Sequence, residues 1–317
     1  MENFYVRKEA YLNALVLSND LEVKKALEKA RIEAVLKQDF DIENKNILRD
    51  YNKHYLDRFD WVIINANEDY KTYLGFCFAM DKPIYIIARE GDKIHEEISN
   101  KVDRIIFYEK PDDLVKPFLE INKNFPRIIL ASQSEVRKRQ LIEESIPFEI
   151  IVSNADETPD ESKNFRNQLA DISMRKAMKV FDETLDRGLR LIIAADQNIV
   201  FEDVMYGKPK TLDEARLLIM KMMGSEEVYA YTGNAVLLAE GEDILQSINV
   251  TDVSRMSVDN ITDDELEIYL SDGKCLTYCG GISISNSNFV HLKEGRMSTA
   301  RGMTLEYAKE LRKSLRR

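Results

Sequence analysis

Residues suited to gripping an anion cluster in one stretch, Arg127 to Leu141 (RIILASQSEVRKRQL), which begins nearly midway along the 317-residue chain. Four apolar residues, Ile128 to Ala131, run into the hydroxyls of Ser132 and Ser134 and then into Arg137, Lys138 and Arg139. The pattern predicts a buried strand followed by the start of a helix. Free backbone N–H groups and the positive end of the helix dipole converge at such a junction, and anions bind there. An ordinary capped helix with solvated arginines has the same residues, so the stretch gains meaning only from the residues downstream of it. Other chemistries have less to work with. Only His54, His95 and His291 are available for histidine-based catalysis. Cys275 and Cys279 lie four apart with no histidine or second pair nearby, which argues against zinc, and with Cys77 they are too few and scattered for a disulfide framework.

The elements that must position these residues belong to a soluble globular chain, 44% hydrophobic and 32% charged and long enough for two domains. Its net charge of −11 argues against binding a nucleic acid polymer, whose partners usually present a basic face. A small anionic substrate remains compatible if a local basic pocket and a divalent cation offset the field. No apolar run approaches a membrane span, and the N-terminus lacks a signal-peptide core, so no membrane association and cytoplasmic residence are expected.

In the first half, NALVLS (Asn13 to Ser18) is predicted as a buried strand, after which Asp20 caps a helix LEVKKALEKARIEAVL. A helix ILRDYNKHYLDRF, a strand DWVIIN (Asp60 to Asn65), a small-residue helix ending at Asp81-Lys82-Pro83 and a strand from Ile84 to Ala88 come next. The strand IIFY after Arg104 and the helix DDLVKPFLEIN complete the unit. Strands alternating with helices imply a doubly wound parallel sheet. The segment Asp60 to Ala88 resembles the nucleoside 2-deoxyribosyltransferase family, whose helix of the form ELGYAYALGKP reads here from Tyr73 through Gly75 and Ala79 to Lys82-Pro83. That resemblance implies a deoxyribosyltransferase-like domain over residues 1–123. Tyr73 occupies the position of the family's nucleophilic glutamate, and a phenol replaces a carboxylate poorly in forming a glycosyl ester, so transferase activity is not expected.

The polar, proline-bearing INKNFPR marks the boundary, giving domains of residues 1–124 and 125–317. Beyond it come PFEIIVSNADET, a helix DISMRKAMKVFDETLD, the strand LIIAADQNIVF, the loop YGKPKT, the helix LDEARLLIMKMM and two antiparallel strands, 228–239 and 244–258. Residues 127–317 resemble the Maf family of nucleoside triphosphate pyrophosphatases. LASQSEVRKRQL stands for its LASxSPRRxxLL opening and ADET for its carboxylate-bearing pair. Arg175-Lys176-Ala177, AADQNIV, Gly207-Lys208-Pro209, Asp213 to Arg216, Tyr231-Thr232-Gly233 and ITDDELEIY occur in the family's order. The resemblance implies a Maf/ITPase-like α/β domain with a mixed sheet and a central cleft. It also implies hydrolysis of nucleoside triphosphates to monophosphate and pyrophosphate, clearing modified or unwanted nucleotides.

Such hydrolysis needs an activated water, neutralised charge and a divalent cation. On the resemblance, Asp196, expected directly after the strand LIIAA, is the general base or a metal ligand. Glu157 is the second carboxylate, and the two would hold Mg²⁺, Mn²⁺ or another divalent cation. Lys176 and Lys208 would place ammonium donors on the triphosphate. Ser132, Ser134, Arg137 and Gln197 would bind substrate. Departures accompany the match: Glu135 and Val136 replace a proline and an arginine, which removes a cation from the phosphate grip and adds an acid to it. Gln197 replaces a threonine, and Ser285 replaces a base-reading glutamine. Two alternatives stand beside this reading, a nucleotide sensor without turnover and a bifunctional pyrophosphatase with a nucleotide glycosidase in the first half. The chain is also compatible with a homodimer.

Overall fold

Apolar strands that alternate with helices build the first sheet. The structure is a computed structural model and describes residues 12–36, 59–66, 83–144 and 146–314. The chain splits into two compact units, residues 1–128 with 141–149 and residues 129–140 with 150–317. In the first, β1 (Leu12–Leu17) is buried along its length and leads through Ser18 to α1 (Leu21–Lys29), where Asp20 Oδ1 accepts from Glu22 N and Val23 N. The expected single helix to Leu36 is corrected. It ends at Ala30, Arg31 turns to a left-handed φ of 64°, and Ile32–Leu36 forms β2, parallel to β1. β-Branched Ile32 and Val35 suit a strand, and pairing with β1 buries Ile32, Ala34 and Leu36 where a continued helix would not.

β3 (Trp61–Asn65), β4 (Ile84–Arg89) and β5 (Arg104–Tyr108) extend this sheet in the order β2-β1-β3-β4-β5, every pair parallel. A short α2 (Glu96–Ser99), a 3₁₀ turn (Pro111–Leu114) and α3 (Val115–Asn122) complete the described part of this unit. Trp61 is fully buried, with Tyr85, Phe118 and Phe125 ring centroids within 6.3 Å of its own. The helices expected over 47–59 and 70–83 fall outside the described residues except for Phe59 and Pro83, and Tyr73, Gly75, Ala79 and Lys82 lie outside them as well.

The second sheet is mixed and carries the candidate site. It contains β6 (Arg127–Leu130), β7 (Glu149–Ile150), β8 (Arg190–Phe201), β9 (Val204–Tyr206), β10 (Val228–Glu240), β11 (Asp243–Val258) and β12 (Val290–Glu294). Its order is β12-β11-β10-β8-β6-β7, with β9 paired to β8. The helices are α4 (Glu135–Glu143), α5 (Phe165–Asp182), α6 (Leu212–Met222), α7 (Asp263–Leu270), α8 (Met297–Ala300) and α9 (Glu306–Ser314). Asn164 caps α5, and Leu169, Ile172, Ser173, Lys176, Ala177 and Val180 form its buried face at helical spacing. Ala177 and Val180 pack on Ile192 and Ala194 of β8. Full burial of a side chain such as Ile192 or Val180 stabilises by about 1.5–3 kcal/mol.

Gly233 sets how closely α5 approaches. A Cβ there would lie 2.2 Å from the Leu169 carbonyl oxygen and 2.7 Å from Ser173 Oγ. Gly233 pairs with Asp196 across β10 and β8, so the same close approach brings α5 down beside Asp196. No helix among the described residues is long and apolar enough to cross a membrane.

Candidate active site

The residues expected at the site occupy one cleft of the second unit, of about 530 Å³. Ser132, Ser134, Arg137, Glu157, Lys176, Asp196, Gln197 and Lys208 all line it. Four cations (Arg137, Lys176, Lys208, Arg301) face two carboxylates (Glu157, Asp196), an excess of positive charge in a chain whose net charge is −11.

The strand-to-helix junction forms as expected. β6 ends at Leu130, Ala131 N donates to Ile193 O of β8 (2.8 Å), and α4 starts at Glu135. Ser132 Oγ accepts from Ser134 N at 3.2 Å and from Arg137 Nη1 at 3.1 Å, while Arg137 Nε donates to Gly302 O at 2.8 Å. Burial lowers the pKa of the Arg137 guanidinium, against the opposing pull of Asp196, Cys279 and Glu157. A cation stripped of water in this way favours an anion that restores the lost solvation. The adjacent departures behave differently from each other. Val136 lines the cleft, whereas Glu135 is 79% exposed, lies outside it and pairs with Lys138 Nζ at 2.5 Å. The acid expected to intrude on the phosphate grip is therefore turned to solvent.

β8 spans the whole of the expected strand LIIAADQNIVF, so Asp196 sits inside it and not directly after a strand ending at Ala195. β10 pairs with β8 from Arg190 to Val200 and holds it extended. On the other edge, β8 meets the segment after β6 near Ile193 and β9 from Ile199 onward, leaving Asp196 in the interval between them. Successive strand residues point to opposite faces. Asp196 accordingly shares the α5 face with Ala194, and its Oδ1 accepts from Lys176 Nζ at 2.7 Å. The same ammonium lies 3.0 Å from Glu157 Oε2. Lys176 is 8% exposed, Asp196 16% and Glu157 60%, so the buried ammonium is held by one sheltered and one open carboxylate.

The ADET motif and the Arg175-Lys176 pair work together to set Glu157. Asp156 Oδ1 accepts from Thr158 N (2.9 Å) and Thr158 Oγ1 (2.7 Å), closing a local turn. Arg175 then donates through Nη1 to Asp156 O and through Nη2 to Thr158 O, at 2.6 and 2.7 Å. Both carbonyls flank Glu157.

Gln197 spends its amide N–H groups on the protein itself. Nε2 donates to Thr232 Oγ1 (3.0 Å), Thr299 O (3.0 Å) and Ala300 O (3.2 Å). With Gln140 Nε2 on Arg301 O and Arg137 Nε on Gly302 O, four consecutive carbonyls of the 299–302 turn are fastened by side chains from β8 and α4. Lys208 is exposed and forms no ion pair among the described residues. Its turn is tied down by Gly280 N donating to Gly207 O at 2.8 Å. Gly280 has φ 64°, and a Cβ there would meet Ile199 Cγ1 at 3.0 Å.

The cleft also holds residues to which the sequence assigns no role there. Cys279 donates its thiol to Gln197 O at 2.8 Å, and burial, reinforced by Asp196, pushes its pKa up to about 11. The loop bearing it is held by Tyr269 Oη donating to Gly281 O at 3.0 Å. The acids of ITDDELEIY do not line the cleft: Thr262 and Glu265 form a reciprocal cap on α7. Asn198 was legible in principle, because period-two alternation along AADQN puts it on the face of Asp196. Among the described residues, no group of three or more histidine, cysteine or acidic side chains gathers as a metal cage.

A family model for Maf-like proteins matches residues 127–315. A nucleoside triphosphate pyrophosphatase from Prochlorococcus marinus (strain MIT 9301) is 29% identical over 206 residues, covering 60% of this chain and 100% of that protein. A dTTP/UTP pyrophosphatase from Caldicellulosiruptor bescii is 32% identical over 159 residues, covering 50% of this chain and 78% of its own length. Another dTTP/UTP pyrophosphatase, from Bacillus cereus (strain B4264), is 28% identical over 182 residues, covering 56% and 90%.

Proposed function

Because this chain belongs to the family of Maf-like proteins, we propose that its cleft hydrolyses nucleoside triphosphates to nucleoside monophosphate and pyrophosphate. The observation that carries this reading is the Asp196–Lys176–Glu157 arrangement beside the Ser132–Arg137 junction, within a cationic cleft of an acidic protein. In the reaction a water oxygen bonds to phosphorus as the bridging P–O bond breaks, and pyrophosphate leaves with the electron pair. Asp196 orients that water and takes its proton. Lys176 holds the Asp196 carboxylate in place through one N–H and Glu157 through another, which leaves a third donor for a phosphoryl oxygen. Arg137 and Lys208 neutralise the departing charge.

The donor set also fits a hard divalent cation such as Mg²⁺ or Mn²⁺. Two carboxylates whose oxygens share one ammonium lie close enough to act together, and such ions are usually held by one or two carboxylates, phosphate oxygens and water. When bound there, the cation would polarise the phosphoryl oxygens and offset substrate charge.

For the first unit, the parallel sheet and the ELGYAYALGKP-like segment support a deoxyribosyltransferase-like domain, and Tyr73 in the place of a nucleophilic glutamate supports its not cleaving glycosidic bonds; the polar INKNFPR supports a boundary near residue 124, a few residues before the first unit's main segment ends at 128. The test of the main reading is a panel of ordinary and modified nucleoside triphosphates assayed for pyrophosphate with a divalent cation. Pyrophosphate release is expected. Tight binding of triphosphates without release would instead mark a sensor.

A further inference from the structure

β8 acts as a ruler along the cleft. Ile193 accepts from Ala131 beside the Ser132–Arg137 grip, and Asp196 lies three residues further on, roughly 10 Å along an extended strand. Asn198 lies another two residues on, roughly 7 Å past Asp196 and on the same face. If the charge-rich β- and γ-phosphates take the grip and the bond broken lies at Asp196, the nucleoside extends toward Asn198. Beside Asn198 lie Met205, through the β8–β9 pairing, and the Gly207-Lys208 turn, and the uncharged lining of the same cleft includes Tyr278, Ser283, Ile284 and Ser285.

Asn198 is the side chain here with chemistry to spare. It is half-buried, and no hydrogen bond to its carboxamide occurs among the described residues. Its carboxamide lies beside the Gly207 turn: a Cβ on Gly207 would be 3.5 Å from Asn198 Oδ1, an ordinary contact distance. The Tyr231 partner across the ladder packs edge-on against Phe165 and under Arg166, which walls this end of the strand. A neutral amide half-removed from water at a cleft wall, with donor and acceptor both unused, suits a ligand edge that offers both.

We infer that Asn198 reads the nucleobase of the bound nucleotide, through hydrogen bonds from its carboxamide to the polar edge of the base. The inference rests on the cleft being a nucleotide site and deepens that reading by naming a specificity-determining residue. A phosphate role fits less well, because the cations already supply that chemistry and an amide adds no charge.

The test uses the full chain and two variants, Asn198→Leu, which keeps the shape and removes both hydrogen-bonding functions, and Asn198→Asp, which keeps only the acceptor. Binding of α,β-methylene nucleoside triphosphates bearing different bases is measured alongside kcat/KM for the hydrolysable nucleotides. The wild type should discriminate among bases, and Asn198→Leu should flatten its best-to-worst ratio by about tenfold or more. Asn198→Asp should shift preference about tenfold toward bases with an exposed amino group and away from those with a carbonyl at that edge. Equal binding of all bases by the wild type overturns the inference. So does an equal fall for every base and for ribose 5-triphosphate in Asn198→Leu, which would signify a phosphate contact, or a change confined to the ribose-to-deoxyribose ratio. Base-selective binding without any pyrophosphate release would overturn the hydrolase reading alone.

Discussion

Two neighbouring residues illustrate how far a motif comparison reaches at the scale of single side chains. Glu135 and Val136 both depart from the resembled pattern, yet only Val136 faces the cleft; the outward turn of Glu135 follows from where α4 lies, which the motif does not encode. Glu135→Pro should therefore leave KM unchanged, while Val136→Arg should lower it about tenfold, the scale of one hydrogen bond to a charged group. Steady-state kinetics of both variants checks this, and a KM that responds to Glu135→Pro would show the acid reaching substrate. Cys279 provides a pH test. Its folded pKa of about 11 lies above the ~8.5 of an unfolded thiol, so the folded state holds the proton more tightly. The stability contributed is complete below the unfolded value and is lost as pH rises toward 11. Denaturant midpoints measured between pH 8 and 11 should fall less steeply in Cys279→Ala than in the wild type. Identical slopes would mean that the thiol is not so buried.

At the scale of elements, the sequence carries the sheets better than the breaks. Apolar runs identify β1, β3, β4, β6 and β8 because buried strands leave no polar face to confuse with anything else. The end of α1 is different: EKARIEAVL keeps good helix spacing, and only pairing with β1 draws Ile32–Leu36 into the sheet. Asp196 is legible by type and as part of the strand LIIAADQNIVF, but not as a mid-strand residue facing α5, since the antiparallel partner that holds β8 extended past Ala195 lies more than thirty residues away. Gln197 obeys the same logic, as its anchoring of the 299–302 turn joins residues a hundred positions apart. Gly233 is legible as a motif letter but not as a spacer. Gly233→Ala should force α5 off β10, cost about 1–3 kcal/mol of stability and reduce activity by separating Lys176 from Asp196. Thermal unfolding and turnover of that variant measure both; an unshifted Tm with normal activity would show that α5 accommodates the methyl group without moving.

For the whole molecule, the chain joins a parallel-sheet unit to one whose cleft is lined by four cations and two carboxylates. The 317-residue chain incubated with deoxynucleosides and deoxynucleotides should release no free base, since Tyr73 stands where the resembled nucleophile is a carboxylate. Chromatographic detection of base above background would make the enzyme bifunctional. The cleft, in turn, makes a definite claim about which bond breaks and which residue activates water. The most direct measurement is ³¹P NMR of the products formed from a nucleoside triphosphate and a divalent cation by the wild type and by Asp196→Asn, with circular dichroism showing that the variant is folded. Equal amounts of monophosphate and pyrophosphate from the wild type, and a rate at least ~100-fold lower from Asp196→Asn, are expected. Diphosphate and inorganic phosphate as products, or near-normal turnover by folded Asp196→Asn, would contradict the account.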